Sequence, residues 1–153
     1  MESHGKLVTI LIADDDADDR LLMKRLLKQS RLYNDLRFVE DGEELLDYLH
    51  QRGPYSAAGA APRPGLILLD LNMPKKSGRE ALAEIKTDRN LRTIPIVVLT
   101  TSKTEEEIYR SYDLGANSFI TKPVNFEAMV EIMRAVTSYW FSIVELPPDT
   151  IGD

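Results

Sequence analysis

The sequence predicts an α/β protein: a five-stranded parallel sheet with helices on both faces. Three observations carry this. Short apolar runs alternate with amphipathic, helix-forming segments five times along the 153 residues. The runs are apolar at consecutive positions, as in strands buried on both faces. Most of them end in polar or charged residues, where open α/β sheets gather their ligands.

The first strand spans 7–13, apolar except for Thr9, and leads into Asp14-Asp15-Asp16. Leu21, Leu22, Leu26 and Leu27 then define one face of a helix. Leu36, Phe38 and Val39 mark a short second strand. Asp41 is placed to cap the next helix, with Glu44 reaching back, and Leu45, Leu46 and Leu49 form its buried stripe. The Gly-, Ala- and Pro-rich stretch 53–65 reads as a long surface loop. Leu66-Ile67-Leu68-Leu69 forms a third strand ending at Asp70, and Pro74 prevents its continuation. Ser77 and Glu80 make a capping-box pattern before Ala81, Leu82 and Ile85. The fourth strand covers 94–99. Thr104 and Glu107 repeat the capping pattern before Ile108 and Tyr112. The fifth strand spans 118–121, and Asn125 caps a last helix bearing Phe126, Met129, Val130, Met133 and Val136.

Five βα units in succession favour the flavodoxin-like, doubly wound (βα)5 arrangement with strand order 2-1-3-4-5. Strands 1 and 3 are then neighbours, so Asp14 and Asp15 approach Asp70. Clustered carboxylates repel one another and resist burial. A divalent cation removes that conflict, and Mg2+ suits a few carboxylates, several waters and a phosphate. The fourth strand ends in Leu99-Thr100-Thr101-Ser102, supplying hydroxyls and backbone N–H groups. The fifth leads into Lys122-Pro123, supplying a cation. A nucleophilic carboxylate, a metal site, a hydroxyl donor and a lysine form a set suited to phosphoryl transfer.

Composition narrows the class. A net charge of −6 argues against a nucleic-acid binder. The absence of cysteine removes disulfide and thiol chemistry and fits a cytoplasmic location. No stretch reaches the roughly 18 apolar residues of a membrane span, so no membrane partner is expected. The acidic run from Asp14 fails as a calcium loop. Its sixth position is Asp19 where Gly is needed, and its twelfth is Arg25 where Glu is needed. Asp16, Asp18 and Asp19 read as a solvated acidic turn.

Asp14-Asp15, Asp70, Thr100 and Lys122-Pro123, each at a strand end and in this order, resemble the receiver domain of the CheY-like response regulators. The resemblance covers residues 6–137, leaving 138–153 as an apolar extension too short for an output domain. It implies that Asp70 is the phosphoacceptor. Asp15 is then the direct metal ligand, Asp14 the acid holding the metal's waters, and Asn72 a donor of its backbone carbonyl. Thr100 corresponds to the switch hydroxyl, the N–H of Thr101 to a phosphoryl ligand, Lys122 to the phosphate's counter-charge, and Phe119 to the aromatic switch. The Lys122–Pro123 bond is expected to be cis. Thr101 stands where many members carry a smaller residue, and Phe119 lacks the hydroxyl of a Tyr. The resemblance further implies a sensor histidine kinase as partner, and assistance by the domain in its own phosphorylation and dephosphorylation.

The aromatic tail from Tyr139 to Phe141, with residues 99–102 and 115–118, is similar to the small response regulators that partner bacterial phytochromes. That subgroup implies a homodimer. The tail aromatics either fold back on this chain's own core or form a partner interface, and the interface is favoured because adjacent Tyr139, Trp140 and Phe141 cannot all face one way on a helix. The alternative is an aspartate-nucleophile phosphatase of the haloacid dehalogenase type, for which Asp14 and Asp16 provide a D-x-D after the first strand. Asp18, in place of a small or hydroxyl residue, and a length too short for a substrate cap weigh against it.

Overall fold

The computed structural model describes residues 8–28, 34–140 and 144–148. Five strands alternate with five helices: β1 Val8–Ala13, α1 Ala17–Lys28, β2 Asn34–Val39, α2 Gly42–His50, β3 Leu66–Leu69, α3 Gly78–Thr87, β4 Ile96–Thr100, α4 Glu105–Asp113, β5 Ser118–Thr121 and α5 Phe126–Ser138. All pairings are parallel and the order is β2-β1-β3-β4-β5. The expected topology is therefore observed.

The two-residue period of a strand divides each apolar run between two cores. Leu11, Ala13, Ile67, Leu69, Ile96 and Val98 face the side covered by α2 and α3. Ile10, Ile12, Leu66, Leu68, Val97 and Leu99 face α1 and α5. Burial on both faces accounts for the unbroken Leu66-Ile67-Leu68-Leu69 run.

The predicted stripe holds in α3, and single residues depart from it in α1, α4 and α5. In α1 the inward residues are Met23 and Leu27, flanked by half-buried Leu22 and Leu26. Leu21 is 49% exposed, one step outside the stripe. Ala81, Leu82 and Ile85 of α3 are buried as expected. In α4, Ile108 is half-buried and Tyr112 is exposed; Ser111 is the helix's buried residue. Phe126 at the start of α5 is exposed, whereas Met129, Met133 and Val136 are buried.

Caps follow the sequence in part. Ser77 and Glu80 close a full capping box on α3, and Asn125 caps α5 through the Ala128 amide. Asp41 accepts from the Glu44 amide, but Glu44 reaches past it to the Glu40 amide at 2.8 Å. Thr104 caps α4, yet Glu107 does not complete the box, because Arg79 takes its carboxylate.

The 53–65 stretch is not simply a surface loop. Ala61 is buried, and Tyr48 anchors the segment by donating its hydroxyl to the Pro62 carbonyl at 2.7 Å. The tail also turns inward. Trp140 is buried with Met133 and Val136, and Val144 and Leu146 pack against the same core. Trp140 therefore belongs to this chain's own core, contrary to the expectation for the tail, while Tyr139 remains exposed. Phe141 lies outside the described residues.

Candidate functional site

Register brings the site together. Ala13 pairs with Leu69, Leu69 with Val98, and Thr100 with Thr121. Asp14, Asp70, Thr100 and Lys122 thus stand side by side at the carboxyl ends of β1, β3, β4 and β5. The loop after Asp70 folds tightly onto α3. A Cβ on Gly78 would lie 2.2 Å from the Asp70 carbonyl oxygen, so only glycine permits this approach.

Asp70 has both carboxylate oxygens engaged. Oδ1 accepts from the Thr100 hydroxyl at 2.9 Å and from the Asn72 amide at 3.1 Å. Oδ2 accepts from Lys122 Nζ at 3.2 Å. Lys122, 7% exposed, also donates to Asp14 Oδ2 at 2.7 Å and to Asp19 Oδ2 at 2.8 Å. Asp14 is 2% exposed and accepts from the Asp16 amide at 2.9 Å. Thr100 is wholly buried, whereas Asp15, Asn72 and Thr101 are exposed at the mouth.

Burial pushes the Asp14 carboxyl above its ordinary value of 3.8, against the hydrogen bonds from Lys122 and the Asp16 amide that hold it down. Burial also acts to lower Lys122. Its bonds to Asp14 and Asp19 outweigh that effect, and the ammonium is held above its ordinary value. The two partners pull in different senses on the charge of their shared contact. Two short bonds to carboxylates keep the Lys122 amine protonated.

Asp14, Asp15 and Asp70 each offer one oxygen, all within 4.8 Å of one another. Three hard carboxylate donors suit Mg2+, Ca2+ or Mn2+ and not a thiophilic ion. The residues therefore fit a divalent cation. In this arrangement Lys122 supplies the positive charge for Asp14 and Asp70.

The expected site residues converge, with corrections. The Lys122–Pro123 bond is trans, as no described peptide bond is cis. Trans is intrinsically favoured by about 0.5–1 kcal/mol, and from it Lys122 reaches all three carboxylates. Phe119 is half-buried against the α2–α3 core, and its N–H donates to the Tyr112 hydroxyl at 3.2 Å. Asp19 was read as part of a solvated turn but belongs to the site. No local signal marked it, since Asp16, Asp18 and Asp19 are alike as acids around the start of α1. Arg79 and Glu107 were also missed: Arg79 holds the Asn72 side chain and pairs with Glu107. Asp16 is spent as a cap, with Oδ1 accepting from the Asp18 and Asp19 amides at 2.9 and 3.1 Å. The D-x-D of a haloacid dehalogenase is thereby broken at its second acid.

A doubly wound sheet with a carboxylate, a hydroxyl and a lysine at adjacent strand ends defines a phosphoryl-accepting signalling domain. The family model described as "Response regulator receiver domain" matches residues 10–134, and the chain belongs to that family. It is similar to the response regulator Rcp1 of Synechocystis sp., 42% identical over 146 residues, covering 95% of this chain and 97% of that protein. The crystal structure of Mn2+-bound Rcp1 superposes with a TM-score of 0.88 at 41% identity, covering 92% of this chain and 99% of that one. The phosphorylated cyanobacterial phytochrome response regulator RcpA gives a TM-score of 0.88 at 43% identity, covering 94% and 100%. The phosphatase alternative is not favoured. No described helix is long and apolar enough to cross a membrane.

Proposed function

We propose that Asp70 accepts a phosphoryl group from the phosphohistidine of a sensor histidine kinase. The observation that carries this is the convergence of Thr100 and Lys122 on the Asp70 carboxylate. A carboxylate oxygen of Asp70 attacks phosphorus in line as the P–N bond to the imidazole breaks, leaving an acyl phosphate. Thr100 donates its hydroxyl to a phosphoryl oxygen, and Lys122 moves from Asp70 Oδ2 to the same group. The Thr101 N–H offers a further donor. Asp15, Asp14, Asp70 and the Asn72 carbonyl are the residues that would hold Mg2+, which when bound neutralises charge on the transferred group. By holding these groups in place the domain assists both its own phosphorylation and its hydrolysis.

The acyl phosphate adds about −1.5 to −2 charge at pH 7. Phe119 fills the space vacated by Thr100, and the face of α4, β5 and α5 changes its partner preference. This is a population shift between two arrangements. Similarity to RcpA and Rcp1 supports a bacterial phytochrome as the kinase, in the cytoplasm, with a receiver over 6–137 and an extension over 138–153. Neither nucleic acid nor a membrane is a partner in this reading. A homodimer is supported by the exposed Tyr139, next to the buried Trp140.

The test is uptake of radiolabelled phosphoryl from acetyl phosphate or a phosphohistidine donor. Asp70→Asn is expected to abolish it, and retained labelling at the same site would overturn the assignment. Sedimentation at tens of micromolar is expected to report a dimer. A monomer both with and without phosphorylation would remove that part of the reading.

A further inference from the structure

Arg79 stands on the first turn of α3, outside the groups that would touch the phosphoryl group. Its guanidinium donates to Asn72 Oδ1 at 3.2 Å. Asn72 Nδ2 donates in turn to Thr100 Oγ1 at 3.3 Å, and Thr100 donates to Asp70 Oδ1 at 2.9 Å. The same guanidinium grips Glu107, with Nε 2.7 Å from both carboxylate oxygens. Glu107 lies in the first turn of α4, where its amide donates to the Thr104 cap at 3.2 Å. A planar guanidinium has donors enough to hold an amide oxygen and a carboxylate together. A continuous line of contacts therefore runs from the acceptor carboxylate to α4.

Thr100 has one hydroxyl proton. While Asp70 is unmodified, that proton goes to Asp70 Oδ1 and the Asn72 amide braces the oxygen from behind. Once a phosphoryl group takes the proton, Oγ1 turns toward it and away from Asn72, whose contact is already long. The brace thus belongs to the unmodified arrangement.

We propose that Arg79 is a positioning residue: paired with Glu107, it clamps the Asn72 side chain, holds Thr100 on unmodified Asp70 and ties that resting arrangement to α4. This rests on the reading of Asp70 as the acceptor. A contact made in one of two states biases their equilibrium by its differential strength. For a partly exposed ion pair that corresponds to a factor of about two to five.

The experiment measures the rate of label uptake from acetyl phosphate by the full chain. Arg79→Ala and Glu107→Ala are each expected to take up label about two- to fivefold faster than wild type. The double variant should be no faster than either single one. Asn72→Ala should accelerate uptake similarly and leave Arg79→Ala without further effect. A merely structural role for Arg79 in joining α3 to α4 would persist in the Asn72→Ala background. Unchanged rates in Arg79→Ala, or an Arg79→Ala effect that survives intact in Asn72→Ala, would overturn the proposal. Asp70→Asn sets the background. A wild type no better labelled than Asp70→Asn overturns the acceptor reading and this inference together. A labelled wild type with an unaltered Arg79→Ala overturns the inference alone.

Discussion

Lys122 holds together a group of carboxylates that would otherwise repel. Its ammonium is buried among Asp14, Asp19 and Asp70, all within 3.2 Å. Removing one partner of a buried ion pair leaves charge without compensation, at a cost of about 3 kcal/mol. Lys122→Met should therefore destabilise the metal-free protein by that order in urea unfolding at pH 7. The loss should shrink as pH falls and Asp14, whose carboxyl burial holds above its ordinary value, takes up a proton, and added Mg2+ should restore part of it. A variant as stable as wild type at pH 7 without metal would contradict this account. Asp14, Asp70, Thr100 and Lys122 were legible in the sequence because each stands at or just past the end of a predicted strand. Asp19 was not, because nothing in Asp16-Ala17-Asp18-Asp19 says which acid the helix turns inward.

Between elements, the Arg79–Glu107 pair links α3 to α4. The bond from Arg79 holds the Glu107 carboxyl below its ordinary value of 4.5. A depressed carboxylate contributes stability above its unfolded-state value and loses it as pH falls through the folded one. Arg79→Ala is expected to cost about 1 kcal/mol or less at pH 7, since the pair is partly exposed. The difference from wild type should narrow as pH falls below 4.5 in parallel denaturation curves; one that stays constant through the whole acid range would assign the effect to packing. The Thr104–Glu107 spacing read as a capping box, and Thr104 does cap. Glu107 had a stronger partner 28 residues earlier, and local spacing carries no information about such competition. Ser77–Glu80, with no comparable competitor, closed as its spacing predicts.

At the scale of the whole molecule, two cores flank one sheet, and the tail completes the second. Trp140 packs with Met133 and Val136 on the α1–α5 side. Trp140→Ala should cost about 3 kcal/mol by removing a buried aromatic, seen as a lower unfolding midpoint in a fully folded variant. An unchanged midpoint would mean that the tail is not part of the core. The sequence marked the tail as apolar but left its destination open, because adjacent Tyr139 and Trp140 look alike as apolar residues. Their difference lies in helical phase. Trp140 follows Met133 and Val136 around the helix onto the buried face, and Tyr139 falls beside it on the exposed one.

The sequence by itself determined the five βα units, the burial of the strands on both faces and the chemistry at the strand ends. These rest on hydrophobic periodicity and chain punctuation, which are properties of neighbours along the chain. The tertiary structure decided how the charges are shared. It gave Lys122 to Asp19, 103 residues away, kept Lys122–Pro123 trans, and took Glu107 from its cap for Arg79. Electrostatic partners are chosen by distance and burial in space, and the fold sets both.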